Sequence, residues 1–155
     1  ARVGEHGGSA GFTVGQRRGL GVAADAPRYV SRIDPISNTI QLGRREDLET
    51  RVVPLSAVSF VAGAAPVGAG PDGAFRATVR IRHRAEPVPA TVRPATDAEP
   101  ARGGRWIVET DVPVWAAAPG QACVLYDDDV VLGGGRIEAS PSAVGAAEPA
   151  AVLAS

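Results

Sequence analysis

The sequence of 155 residues is poor in several residue types, and each scarcity excludes a class of protein. Its one cysteine, Cys123, excludes an internal disulfide and a zinc site built on cysteines. His6 and His83 are its two histidines, too few to imply zinc without further ligands. No apolar run approaches the roughly 18–20 residues that span a bilayer, and no signal-peptide pattern is present. We therefore expect a cytoplasmic protein that does not engage a membrane.

Lysine is absent as well, so all sixteen basic residues are arginines. Aromatic residues make up 5% of the chain, and the core must therefore come from valine, alanine, leucine and isoleucine. The 19 glycines and 13 prolines interrupt the chain too often for long helices, which favours short strands and turns. A net charge of −1 argues against strong non-specific binding of polyanions. Binding of a polyanion therefore depends on whether the arginines cluster on one surface.

Turn signals and period-2 patterns divide the chain into three regions. Residues 1–56 contain a hairpin of strands at 28–33 and 38–42, and we expect them to be part of a small β central domain. Residues 57–138 contain short strands at regular spacing, which predicts a six-stranded-type antiparallel β-barrel. Residues 139–155 show no apolar period, and we expect a dispensable tail. The predicted fold class is mostly β.

Residues 13–21, here called the glycine–arginine loop, pack Gln16, Arg17 and Arg18 between glycines. Glycine permits a positive φ and close approach by another molecule. Arginine binds phosphate bidentately, and glutamine adds a donor and an acceptor. The composition suits a polyanion, although a solvated basic turn explains it equally simply.

A second arginine cluster follows Phe75, where apolar and polar residues alternate. One side of the predicted strand carries Arg76, Arg80, Arg82 and Arg84. Alternate residues on a strand lie about 6.6 Å apart, close to the phosphate spacing along a nucleic-acid strand. The alternative is a solvated barrel face whose arginines pair with acids on neighbouring strands, such as Glu109 or Asp111.

The motifs that could indicate catalysis lack their structural context. Residues 7–11 match G-x-S-x-G, but the sequence after them does not open a helix. Residues 19–24 mimic a dinucleotide fingerprint without a preceding strand. Cys123 lies in an apolar strand and is expected to be a small buried residue. The glycines at 133–135 are expected to kink the barrel closed rather than to approach a phosphate.

Taken in order, these motifs resemble the bacterial tRNA-specific 2-thiouridylases of the MnmA/TrmU family. Gly4-Glu5-His6 and the glycine–arginine loop resemble the signature of that family's central domain. The arginine-rich strand at 76–84 resembles its basic barrel strand, and residues 119–121 and 126–135 resemble its closing hairpin. The resemblance covers about residues 3–138.

The resemblance implies an activity. In this family ATP activates the 2-oxygen of the wobble uridine by adenylation, and a cysteine persulfide then delivers sulfur to give 2-thiouridine. The PP-loop domain that binds ATP with Mg²⁺, and both catalytic cysteines, precede the segment that this sequence resembles. We therefore expect a piece of a longer enzyme, with no catalytic residue or cofactor of its own and no activity alone. The implied partners are tRNA, the PP-loop domain and a sulfur-donor protein.

The resemblance also implies which residues contact tRNA. Arg82, His83 and Gln121 match tRNA-contacting positions of the barrel, and His83 stands where the family usually has tyrosine. The central-domain loop near the anticodon end supplies a second group. The full expected set is Arg80, Arg82, His83, Arg84, Gln121, Gln16, Arg17 and Arg18.

Two hypotheses from other classes stay open beside this one. The first is a non-catalytic β-barrel that serves as a structural or protein-docking module, with its arginines in surface salt bridges. The second is an enzyme that acts through these 155 residues alone, which ATP turnover by the purified chain would reveal. The salt dependence of tRNA binding separates the tRNA hypothesis from the first alternative.

Overall fold

The computed structural model describes residues 2–23, 25–67, 70–96, 105–139 and 151–154. In these ranges the helices are two 3-10 turns, Ser9–Gly11 and Glu46–Leu48, and none is long and apolar enough to cross a membrane. The strands are β1 (Arg2–Glu5), β2 (Tyr29–Asp34), β3 (Thr39–Gly43), β4 (Glu49–Phe60), β5 (Phe75–Arg80), β6 (Val88–Pro94), β7 (Trp106–Trp115), β8 (Ala122–Asp127), β9 (Val130–Ile137) and β10 (Ala151–Ala154). The predicted mostly-β class is confirmed.

The chain forms two compact units, Ala1–Glu49 with Ser142–Ser155 and Thr50–Pro141. The boundary expected at residue 56 lies seven residues earlier, because β4 is one continuous strand that passes through Pro54. Proline cannot donate to a ladder, yet the buried Pro54 accepts a hydrogen bond from the Glu138 backbone N–H at 2.9 Å. The proline therefore lies inside a strand rather than between two domains.

The first unit contains a four-stranded sheet in the order β1-β10-β3-β2. β2 and β3 are antiparallel, as the predicted hairpin requires. In the turn between them, the Asp34 carboxylate accepts hydrogen bonds from the backbone N–H groups of Ile36 and Ser37, at 3.0 and 3.3 Å. Hydrogen bonding by Ser37 lowers the pKa of Asp34. Asn38 completes the turn with φ 47°, a conformation that asparagine tolerates.

The C-terminal region differs from the expected tail. β10 lies between β1 and β3, parallel to the first and antiparallel to the second. Leu153 is 1% exposed and joins the core of Leu20, Val30, Ile40 and Leu42. A four-residue strand among alanines is too short to reveal a period. Residues 140–150 and 155 of the expected tail lie outside the described residues.

The second unit is a closed barrel in the order β4-β7-β6-β5-β8-β9, which confirms the predicted six-stranded antiparallel architecture. Side chains alternate inward and outward along β5, where Phe75, Ala77 and Val79 are buried. The fully enclosed core is aliphatic, as the composition requires. It includes Val53, Leu55, Val79, Ala90, Val92, Val108, Cys123 and Leu125.

Three consecutive glycines close the barrel inside β9, which runs unbroken where two short strands were expected. A Cβ on Gly133 would overlap the Ser59 carbonyl oxygen. A Cβ on Gly134 would lie 2.6 Å from the Cys123 carbonyl oxygen. The ladder also shifts register near these glycines, on both the β4 and the β8 side. Glycine is therefore required because neighbouring backbones approach closely on both flanks.

Candidate nucleic-acid interface

The glycine–arginine loop is fastened to β2 by its backbone. The Gly15 N–H donates to the Val30 carbonyl at 2.8 Å, and the Val30 N–H donates to the Gln16 carbonyl at 2.9 Å. Gly15, Gly19 and Gly21 have φ values of 88°, 74° and 64°, in the region that favours glycine. The glycine spacing is thus set by the path of the loop.

One side chain of the loop forms hydrogen bonds within it, whereas two positively charged side chains are exposed. The Gln16 amide accepts from the Thr13 N–H at 3.1 Å and donates to the Arg18 carbonyl at 2.9 Å, so it is engaged within the loop. Arg17 and Arg18 are exposed. Neither makes an ion pair with a carboxylate in the part of the chain that the structure describes. The loop therefore presents two adjacent guanidiniums to solvent.

In the barrel, the arginines nearest the start of β5 are neutralised. The Arg76 guanidinium donates to both carboxylate oxygens of Asp111, at 2.8 and 2.6 Å, and Arg51 donates to the Asp111 carbonyl. Arg93 donates to Glu109 at 2.8 and 3.0 Å. The salt-bridge alternative is therefore correct for Arg76, one of the four arginines of the predicted face.

Arg80, at the end of β5, has a different environment. Its guanidinium carbon lies 5.9 Å from the centroid of the Tyr126 ring, within cation–π range. Its Nε is buried and has no hydrogen-bond partner among the described residues, and no carboxylate in those residues pairs with it. The charge of Arg80 is therefore not cancelled by a neighbouring acid.

Arg82 is held by a corner of β7. Its guanidinium carbon lies 4.7 Å from the centroid of the Trp115 ring, and its Nε and Nη2 donate to the Ala116 carbonyl at 3.2 and 2.8 Å. Ala116 has φ 50°, a strained conformation for alanine that turns the chain at this point. Burial lowers the pKa of Arg82, but a guanidinium remains protonated in proteins. Arg82 is thus fixed in position, and it makes no ion pair with a carboxylate of the described residues.

The alternating pattern ends earlier than its sequence indicates. β5 stops at Arg80, and the Ala85 N–H donates to the Arg82 carbonyl at 3.2 Å to form a turn. His83 and Arg84 are exposed in this turn rather than on the strand. The prediction that Arg82 and Arg84 continue the strand face is therefore wrong. Both residues belong to this turn instead.

Gln121 lies at the same end of the barrel. β5 is antiparallel to β8 with Arg80 opposite Val124, so the end of β5 that leads to Arg82 is the end at which Gln121 precedes β8. Gln121 is exposed, and its carbonyl accepts a hydrogen bond from the Ile137 N–H at 2.8 Å. Arg80, Arg82, His83 and Gln121 therefore lie at the same end of the barrel. Gln16, Arg17 and Arg18 belong to the other unit.

Two residues of this surface were not among the site residues predicted from the sequence. Trp115 supports Arg82, and Arg136 lies opposite Ala122 in the β8–β9 ladder, beside the start of β8. Trp115 is one of only two tryptophans, and its rarity in an aromatic-poor chain is the available signal. No local pattern identifies Arg136, because its place depends on the register of β9.

An open groove borders Arg82. It has a volume of about 340 Å³, and its walls are mostly apolar. Arg82 and Arg84 line it together with one acid, Glu86. The remaining lining residues are Ile81, Ala85, Val88, Pro113, Val114 and Trp115.

No catalytic centre is evident in the described ranges. Cys123 is in the barrel core, and burial raises the pKa of its thiol to about 12, so the reactive thiolate is suppressed near neutral pH. His6 accepts a hydrogen bond from the Gly8 N–H at 3.1 Å and packs against Phe12. Those ranges contain no group of three or more histidine, cysteine or acidic side chains that could hold a metal ion.

Comparison with known proteins places both units in one family. Residues 51–137 match the aminomethyltransferase beta-barrel domain, and residues 1–44 match the tRNA methyl transferase PRC-barrel domain. The tRNA-specific 2-thiouridylase MnmA of Chlorobium phaeovibrioides is 41% identical over 135 residues, 87% of this chain. The chain belongs to the MnmA family of tRNA-specific 2-thiouridylases. The resemblance inferred from its motifs is thereby confirmed.

Other MnmA relatives match this chain with similar identity and coverage. The protein of Acidobacterium capsulatum is 42% identical over 87% of this chain, and that of Acaryochloris marina is 42% identical over 88%. The chain spans about a third of the length of the curated relatives that it matches, namely 35%, 34% and 37% of these three.

Proposed function

We propose that this chain is the tRNA-binding portion of a cytoplasmic enzyme that converts the wobble uridine of tRNA to 2-thiouridine. In this proposal the remainder of the enzyme holds ATP with Mg²⁺ and the catalytic cysteines. ATP activates the 2-oxygen of the uridine there, and a persulfide, loaded by a sulfur-donor protein, supplies sulfur. The chain described above contributes no reacting group.

The observation that carries the proposal is a cluster of cations at one end of the barrel that form no ion pairs with the described carboxylates. Arg80 and Arg82 make no such pair, although Arg76, on the same strand as Arg80, does. A net charge of −1 gives the whole chain no attraction for RNA, so binding must depend on such a cluster. Membership of a tRNA-modifying family supports tRNA as its ligand.

The proposed mechanism is positioning. Arg82 enters the interface with its guanidinium already held by Trp115 and the Ala116 carbonyl, so little side-chain entropy is lost when a phosphate binds. Arg80 and Arg84 add charge beside it, and Gln121 adds an amide at the same end of the barrel. In the other unit, Arg17 and Arg18 are available for a further phosphate contact. Such contacts fix the orientation of an RNA without reading its sequence.

The direct experiment measures tRNA binding by the 155-residue chain across a salt series. We expect a negative slope of log K against log salt, with each lost phosphate contact reducing it by about 0.7–0.9. Arg82→Ala should weaken binding about tenfold, whereas the matched control Arg76→Ala should change it less than about twofold. Equal effects of the two substitutions, or no tRNA binding by the chain, would overturn the proposal.

The protein-docking alternative has its own support in the ion pairs of Arg76 and Arg93. These pairs give the part of the barrel surface around them the character of an ordinary solvated surface. If the chain were only a docking module, the arginines at the other end would be equally dispensable for RNA. The comparison of Arg82→Ala with Arg76→Ala therefore decides between the two functions.

A further inference from the structure

The groove beside Arg82 has a mixed character that phosphate binding alone does not explain. Its walls include Ile81, Val88 and Val114, whereas a phosphate needs only donors and positive charge. Glu86 also lines the groove, and its negative charge would oppose a phosphate placed near it. A ligand that fits all of these features has an apolar face, a negative group and a hydrogen-bond donor.

We infer that the groove accommodates the base of one unstacked tRNA nucleotide that carries an exocyclic amine, with its phosphate on Arg82 and Arg84 and its amine on Glu86. The inference rests on the proposed function and specifies the ligand of the same site. Single-stranded RNA offers bases that are splayed out and can pack on apolar side chains or on arginine planes. Cytosine, adenine and guanine have the required amine, and uracil does not.

Arg82 is suited to a double role in this groove. Trp115 covers one side of its guanidinium, and the Ala116 carbonyl engages Nε and Nη2. Arg82 is nevertheless partly exposed and lines the groove, so another part of the same guanidinium is open to a ligand. A base in the groove would extend the stack that Trp115 begins. It would also shield the indole from solvent.

Glu86→Ala gives a test in which the two explanations predict opposite signs, because it removes the acceptor, whereas glutamine would keep an amide oxygen that accepts the same hydrogen bond. If the carboxylate accepts a hydrogen bond from a base amine, the substitution should weaken tRNA binding about twofold to fivefold, although it removes a negative charge. If the groove binds only phosphate, the loss of that charge should tighten binding. Glu109→Ala is the matched control, since Glu109 pairs with Arg93 and does not line the groove. Unchanged or tighter binding by Glu86→Ala would overturn the inference.

A fluorescence measurement gives a second readout. Trp106→Phe leaves Trp115 as the sole tryptophan and keeps an aromatic ring beside Phe60 and Phe75. We expect saturating tRNA to quench Trp115 and to protect it from acrylamide, whereas the reciprocal Trp115→Phe chain should show no change at Trp106. Bound tRNA with an unaltered Trp115 signal would overturn the inference and leave the proposed function intact. Failure of the unsubstituted chain to bind tRNA would overturn both.

Discussion

Two groups of arginines on one barrel differ in what surrounds them, although their local sequences are alike. Arg76 meets Asp111 two strands away, Arg93 meets Glu109 on the neighbouring strand, and both charges are neutralised. Arg80 and Arg82 meet aromatic rings and a backbone carbonyl instead, and their charges persist. A run of arginines is therefore not one surface. Whether it attracts a polyanion depends on the strands that lie beside it.

The strongest test of the difference between the two groups of arginines places an acidic residue next to Arg80. Val124 lies opposite Arg80 in the β5–β8 ladder and is half-buried, so Val124→Glu places a carboxylate beside an unpaired guanidinium. We expect tRNA affinity to fall about tenfold, because an ion pair now competes with the RNA. Electrophoretic mobility shift or fluorescence anisotropy would measure it.

Val124→Thr is the control for that substitution, since it preserves a β-branched side chain without charge. Its affinity for tRNA should stay near that of the unsubstituted chain. If Val124→Glu bound tRNA as tightly as Val124→Thr, Arg80 would not belong to the interface.

The reverse change removes an acid from the group of arginines whose charges are neutralised. Asp111→Asn deprives Arg76 of its ionic partner while it keeps the shape of the side chain. We expect tRNA affinity to rise about twofold to threefold and the salt slope to steepen, because one more guanidinium becomes available. Binding titrations at several salt concentrations would show this gain. Weaker binding would mean that Asp111 positions the interface rather than neutralising it.

The Arg76–Asp111 pair should also affect stability as a function of pH, by a small amount because both side chains are exposed. Hydrogen bonding by Arg76 lowers the pKa of Asp111 in the folded chain. A carboxylate with a lowered folded pKa stabilises the fold above its unfolded pKa of about 3.9, and this contribution is lost as the pH falls through the folded value.

Denaturant unfolding of the chain and of Asp111→Asn measures that contribution. The two midpoints should differ slightly near neutral pH and converge in strong acid. A difference that grows on acidification would contradict the assigned direction of the shift.

The smallest expected effect concerns Cys123. The reactivity of its thiol shows whether the barrel of each variant remains folded. Burial raises the pKa of its thiol to about 12, so alkylation by iodoacetamide at about pH 8.5 should be negligible in the folded chain. Each surface variant should be equally resistant, and denaturant should make the thiol reactive. Mass spectrometry would detect the adduct. Rapid alkylation of a variant would assign its loss of binding to unfolding.

Much of the fold could be predicted because its signals are local. Two β-prone runs joined by a Pro-containing polar turn mark the β2–β3 hairpin, and alternation along residues 75–80 marks a barrel strand. β10 could not be predicted, since Leu153 gains its significance only from packing against Val30 and Ile40, more than one hundred residues earlier. Pro54 shows the opposite case, in which a strong local signal indicated a domain boundary but the tertiary structure placed the residue inside β4. A strong local breaker is tolerated where its neighbours do not require an N–H donor.

The sequence by itself determined the β class, the glycine conformations of the loop and the presence of arginines that suit a phosphate. Only the tertiary structure decided which of those arginines are neutralised, because Arg76 meets an acid 35 positions away through the register of three strands. It also decided that Trp115 and Ala116 hold Arg82. Composition specifies how many charges a chain carries, whereas strand register specifies which of them remain available to a ligand.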